Sequence, residues 1–237
     1  WNEAQEMCAA AKSHPQQVSM VCPSPFRVRW ERAVKQVLAS PEFGRLERVT
    51  VSSVSNVNTN PAKITWRERV EYSGLNILQV GIFAETLNAW CGEYSELFAT
   101  TQIPLAEKID VNAQPYIIRI PQNVEIRGQL HCGAAIYELH TGMNSGSDYL
   151  EIFLRSQEKT CKVDLLTGNV VSLRNTGKPQ LQIIDSTGDP WRVEQEFITA
   201  VLAARRGEPW RAENRINPDI QEAARYMLAP GTTLSVE

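Results

Sequence analysis

From Leu97 onward the chain is a succession of short apolar segments separated by turn residues, and this pattern limits the fold more than any other feature. Leu97–Ile103, Tyr116–Ile120, Val124–Cys132, Ala134–His140, Tyr149–Leu154, Lys162–Leu166 and Val170–Leu173 each have the length and composition of a strand. Pro121-Gln122-Asn123, Gly133 and Thr167-Gly168-Asn169 punctuate them. Connections this short cannot cross a sheet face, so strands adjacent in sequence are expected to pair antiparallel. Ile126, Gly128 and Leu130 alternate with Glu125, Arg127 and Gln129, which predicts one packed face and one exposed face.

A one-sided sheet needs helices to cover its apolar face. The stretch from Trp66 to Trp90, WRERVEYSGLNILQVGIFAETLNAW, supplies the most apolar of them. Leu75, Leu78 and Ile82 share one helical face, while Ile77, Gly81 and Ala84 share another. A helix apolar on both faces is buried on both. Ser73 is placed to cap its start. Asn76, Gln79, Glu85 and Asn88 interrupt the apolar run, and Asn76 and Gln79 lie three apart on one face. Polar groups on a buried helix need partners, which are either neighbouring backbone or a ligand.

Elsewhere, Glu3–Lys12 reads as an amphipathic helix and Val18–Cys22 as a short buried strand. Such a pair cannot bury both of its faces and reads as the last piece of a larger unit. After Pro23-Ser24-Pro25, the residues Trp30, Ala33, Val34, Val37 and Leu38 follow helical spacing. Leu46–Val57 predicts a strand with one wet face and a slip at Ser52-Ser53 that returns Val54 to the inside. Asp189-Pro190 and Asn217-Pro218 each begin like a helix, an N-cap followed by proline. Val193, Phe197, Ala200, Val201 and Ala204 line the first, which ends near Gly207. The expected class is α+β: an open, largely antiparallel sheet flanked by helices.

The formal net charge of -3 over 237 residues argues against nucleic acid as a partner. No apolar run reaches the roughly 18 residues needed to span a bilayer, and the acidic first residues do not form a signal peptide. Cys8, Cys22, Cys91, Cys132 and Cys161 are scattered without paired spacing, so reduced thiols in a cytoplasmic protein are expected, with neither zinc site nor disulfide framework. No His/Asp/Glu group has metal-ligand spacing, and no nucleophile elbow is present. Of the histidines, His14 belongs to a helix end and His131 to a strand surface. His140 ends a strand, where loops commonly build sites, and is the better candidate for a substrate contact. Arg67 and Arg69 either clamp an anion or are solvated charges before a turn, Arg67 beside Trp66 being the stronger candidate. Arg205-Arg206 is accounted for by the helix dipole.

With these pieces in order, the chain resembles the glucose–fructose oxidoreductase / inositol dehydrogenase family. The resemblance rests on EAQEMCAAAKSHPQQVSMVC, ASPEFGRLERVTV, WRERVEYSGLNILQVGIFAETLNAW, SGSDYLEIF and DPWRVEQEFITAVLAARRGEP. It implies that residues 1–25 are the end of a Rossmann-type dinucleotide-binding domain and residues 26–237 a substrate-binding and oligomerisation domain. The family's Gly-rich loop and Glu-Lys-Pro segment are then expected upstream of Trp1, making the chain a fragment or a truncated gene product. The implied activity is NAD- or NADP-dependent oxidation of a sugar, polyol or related cyclic alcohol. The small-molecule substrate would be lined by Trp66, Arg67, Asn76, Gln79 and Phe83, with His140 nearby, in a homo-oligomer formed through the sheet. The family's aspartate and histidine, four residues apart around Gly81, are Gln79 and Phe83 here. Neither titrates near neutral pH, so general-base catalysis by that pair is lost. The alternative is a non-catalytic binding or assembly module derived from the family.

Overall fold

Val49 and Val51 are fully buried, and the strand they belong to, β1 (Arg48–Ser55), is the centre of the molecule. The computed structural model describes residues 2–55, 64–74, 78–131, 136–143, 148–178, 180–209 and 234–235. On one side of β1 stand β6 (Ile136–Met143), β5 (Asn123–Leu130) and β2 (Tyr94–Gln102), with the short β11 (Leu234–Ser235) at the edge. On the other side stand β7 (Tyr149–Arg155), β8 (Lys159–Asp164), β9 (Asn169–Arg174) and β10 (Leu181–Asp185). These make one nine-stranded sheet. Two further strands, β3 (Glu107–Ile109) and β4 (Pro115–Ile117), form a separate hairpin.

The expected antiparallel pairing holds for β5–β6, β7–β8 and β8–β9. It fails between β6 and β7. β1 is inserted between them, parallel to β6 and antiparallel to β7. Its register runs unbroken from Arg48↔Ile136 to Ser55↔Met143, so the expected slip at Ser52-Ser53 does not occur. Ladders on both sides hold each residue to the two-residue period. Ser53 therefore faces the core at 0% exposure, and Val54 lies on the other face. The segment expected to be a strand at Val18–Cys22 makes a single bridge at Met20. A regular strand needs a neighbour's row of backbone groups, and no ladder forms with this segment among the described residues. The strand expected at Tyr116–Ile120 is β4, outside the main sheet.

Among the described residues, five α-helices accompany the strands. They are α1 (Asn2–Ser13), α2 (Pro25–Leu38), α3 (Val70–Ser73), α4 (Leu78–Cys91) and α5 (Val193–Arg205). Pro25 sits in the first turn of α2, where its missing N–H costs nothing. The predicted stripe Trp30, Ala33, Val34 and Val37 is buried, and α2 packs against α4 and the β8–β9 end of the sheet. α4 lies over β6. Ile152, Leu154, Cys161, Val163 and Val170 complete a core with 0% exposure at each. Each such side chain contributes about 1.5–3 kcal/mol of burial. Trp30 closes one end, where Gly188, at φ +69°, leaves room for its ring.

Two helix starts differ from expectation. Ser73 does not cap α4 but ends α3, its one hydroxyl proton shared between the carbonyls of Arg67 and Arg69. α5 begins at Val193 rather than at Asp189, because the Asp189 carboxylate is drawn to Arg32, 2.8 Å away, and its N–H donates to the Arg29 carbonyl. The helix expected after Asn217-Pro218 lies outside the described residues. Cys22 and Cys161 are free thiols, and burial pushes that of Cys161 up to about 12. Among the described residues no helix is long and apolar enough to cross a membrane, and no group of His, Cys, Asp and Glu could hold a metal ion.

Candidate functional site

The all-round apolar sequence of α4 has the expected result: no side chain from Val80 to Cys91 is exposed. Phe83 is buried at 0% exposure and stacks on Phe26 of α2, with ring centroids 5.8 Å apart and an interplanar angle of 26°. The one carboxylate of α4, Glu85, accepts the Ser24 N–H at 2.9 Å and Arg27 Nη1 at 2.7 Å. It thereby serves the N-terminus of α2, where a negative charge is favoured. Thr86 Oγ1 lies 2.9 Å from Ser24 Oγ and 2.7 Å from the Ile82 carbonyl. Asn88 Oδ1 is buried with no hydrogen-bond partner among the described residues. Gln79 stands in the first turn of α4, and Asn76 lies outside the described residues.

Ahead of α4, the turn Trp66–Glu68 is clamped onto the β3–β4 hairpin. Thr65 and Glu68 form a capping box, with Glu68 Oε2 accepting the Thr65 N–H at 2.8 Å. Glu68 Oε1 lies 2.6 Å from Lys108 Nζ, and the two side chains are only 4% and 1% exposed. Next to this pair, Arg69 reaches Asp110 at 3.6 Å and lies 4.8 Å over the Tyr116 ring. The Tyr116 hydroxyl donates to Glu71 at 2.8 Å. Its own backbone N–H and then that hydroxyl hold the Glu71 carboxyl below its ordinary range, while burial and then the Glu71 contact raise the Tyr116 hydroxyl. Trp66 and Arg67 are exposed beside the clamp. Trp66 is 56% exposed, and the Arg67 guanidinium sits 4.4 Å over its ring.

The other candidates are dispersed. β6 continues to Met143, so His140 is within a central strand rather than at its end, paired by register with Ser52 of β1 and Glu125 of β5. His131 is exposed at the close of β5, and His14 is exposed at the end of α1. Arg206, at the C-terminal cap of α5, is also engaged by Glu208 through two bonds of 2.7 and 2.8 Å, a fork. An open cleft of about 530 Å³ between α2 and the start of α5 sets Arg27, Arg32 and Arg192 against Glu31, Asp189 and Glu196. Its charges are balanced.

No protein-family model and no curated sequence matches the chain. Its fold, however, matches solved structures. A levoglucosan dehydrogenase in complex with NADH and L-sorbose superposes with a TM-score of 0.77 at 12% identity, over 94% of this chain and 66% of that one. An NAD binding oxidoreductase from Klebsiella pneumoniae gives 0.74 at 15%, covering 95% and 66%. The fold is shared with these NAD-binding oxidoreductases. The same fold carries the super-repressor mutant of Gal80p from Saccharomyces cerevisiae, with a TM-score of 0.71 at 11% identity over 95% of this chain and 65% of that one.

Within a fold of this oxidoreductase type the chain spans 66% of the levoglucosan dehydrogenase it matches. Its described residues include no strand leading through a glycine-rich turn into a helix, the element that cradles a dinucleotide pyrophosphate. Sequence reasoning missed the polar framework of the site: Ser24, Arg27, Glu68 and Lys108. Only Glu68 left a signal, standing three residues after Thr65 in capping-box spacing.

Proposed function

We propose that this chain is the substrate-binding portion of an NAD(P)-dependent oxidoreductase acting on a sugar, polyol or related cyclic alcohol. The observation that carries the reading is the fold shared with a levoglucosan dehydrogenase over 94% of this chain, since that enzyme is seen with NADH and L-sorbose. On this reading residues 1–25 end the dinucleotide-binding domain and residues 26–237 hold the substrate. Trp66, Arg67, Asn76 and Gln79 offer ring and hydrogen-bonding groups to a polyhydroxy ligand, while Phe83 supports them from the core. His140 contributes from the sheet, whose uncovered face joins copies of the chain in a cytoplasmic oligomer. A nicotinamide cofactor, when bound, accepts or donates the hydride. The chain's own part is to orient the alcohol and exclude water. Removal of the hydroxyl proton falls to a group other than Gln79 and Phe83.

A second reading is favoured by a specific observation. The positions expected to hold the catalytic acid-base pair are Gln79 and a fully buried Phe83, and the fold also serves Gal80p. A binding or assembly module that has lost the chemistry fits both facts. Titration of the chain with NADH and NADPH, followed by tryptophan quenching and energy transfer to the nicotinamide, separates the two. Saturable binding supports the oxidoreductase. A folded, oligomeric chain that binds neither cofactor, alone or joined to a dinucleotide-binding domain, refutes it.

A further inference from the structure

We infer that Trp66 and Arg67 form a subsite for an anionic carbohydrate, a sugar acid or sugar phosphate, with the sugar's carbon face on the indole and its carboxylate or phosphate on the guanidinium. This rests on the reading of the chain as a sugar-binding portion and names the substrate class that reading leaves open. The first ground is how the cations of this region are used. Lys108 is paired with Glu68 and Arg69 with Asp110, whereas no carboxylate meets Arg67 among the described residues. Arg67 is exposed, and its guanidinium carbon lies 4.4 Å from the centroid of the Trp66 ring. An exposed guanidinium offers a fork of N–H donors that matches the paired oxygens of a carboxylate or phosphate.

The second ground is the rigidity behind the pair. The Arg67 carbonyl accepts the Ser73 hydroxyl at 2.9 Å, and the Trp66 carbonyl accepts the Arg69 N–H at 3.2 Å. The following residue, Glu68, is locked by Thr65 and Lys108 with almost no exposure. Burying two opposite charges beneath an exposed turn is costly, and a hydrophobic pair would hold the hairpin equally well. What the polar clamp adds is a single fixed direction for the turn. A ring and a charge ordered in advance lose little freedom when a ligand arrives. Trp66 retains 56% of its surface for contact, enough for one pyranose-sized face.

The test is calorimetric titration of the 237-residue chain with D-gluconate, D-glucose 6-phosphate, D-glucose and inorganic phosphate, repeated with Arg67→Gln, Arg67→Lys and Trp66→Phe. One of the charged sugars should bind about ten- to a hundredfold more tightly than glucose, the worth of one or two charge-assisted bonds. Arg67→Gln should abolish that preference, Arg67→Lys should restore part of it, and Trp66→Phe should weaken charged and neutral sugars alike. If glucose binds as tightly as the charged sugars, or Arg67→Gln leaves the preference intact, the anionic class is wrong and the oxidoreductase reading survives with a neutral substrate. Inorganic phosphate binding as tightly as the sugar phosphate would also overturn the inference, because the indole would then contribute nothing. Binding of no sugar at all would remove the underlying reading together with the inference.

Discussion

Replacing Lys108 by methionine removes the positive half of an ion pair whose members are 1% and 4% exposed. The Glu68 carboxylate then stays buried with its Thr65 bonds but without its counter-charge. Breaking a buried pair in this way costs about 3–5 kcal/mol, most of it the uncompensated charge. The loss falls on the docking of the β3–β4 hairpin, so it is read locally. The Ile118 N–H donates to the Ala106 carbonyl at 2.9 Å beside the hairpin. Its hydrogen exchange should speed up on the order of a hundred- to several-thousand-fold in Lys108→Met. Adding Glu68→Gln removes the stranded charge while keeping an acceptor for Thr65. The double variant should therefore recover most of the lost protection, with the two substitutions strongly non-additive. A single Lys108→Met variant that exchanges less than about tenfold faster, or a double variant no better than the single, would show that water reaches the pair and would refute the reasoning.

Three further outcomes are expected. Phe83→Ala should lower stability by about 3–5 kcal/mol through the cavity left against Phe26, read from the urea midpoint; a change below about 1 kcal/mol would mean the ring does not pack as a core residue. Gly188→Ala should cost about 2–4 kcal/mol, because an added Cβ would stand 2.4 Å from Arg29 Cγ and 2.7 Å from Trp30 Cζ3 at a φ of +69°. The N–H groups of Thr187 and Gly188 hold the Asp185 carboxyl below its ordinary value, and those of Gln114 and Asn112, with Arg69, do the same for Asp110. A carboxyl lowered by folding stabilises above its unfolded value near pH 4 and loses that contribution as pH falls through the folded value. The urea midpoint should thus fall below about pH 4, and Asp185→Asn should make that fall shallower; an unchanged acid limb in this variant would count against the assignment.

The alternating strands and the all-round apolar α4 were legible because their periods are set by burial, which acts on every residue in the element. Leu181–Asp185 was not, since β10 is an edge strand whose side chains are mostly exposed and carry no alternation. The insertion of β1 between β6 and β7 was equally hidden. Local turn chemistry describes neighbours in sequence and says nothing of a strand made earlier that arrives from elsewhere. At the site, Trp66 and Arg67 could be picked out by residue type and Phe83 by its place in the run. The buried Lys108 could not: Glu107-Lys108-Ile109 reads as an exposed lysine, and the distant Glu68 helps make its burial tolerable. Long-range charge pairing leaves no local trace.

The position of β1 has a consequence for how the molecule assembles. β2, β5 and β6 form one wing built from local returns of the chain, and β7 to β10 form another. Neither wing shares a backbone ladder with the other; β1 is the strand that joins them. Both wings are therefore free to form early and independently, but the sheet closes only when a strand from far upstream slides between them. That step joins residues as distant in sequence as Arg48 and Arg155 and should slow folding. Until it happens, β6 and β7 each expose a raw edge, so residues 48–55 also act as the chain's own guard against strand-to-strand association with other molecules.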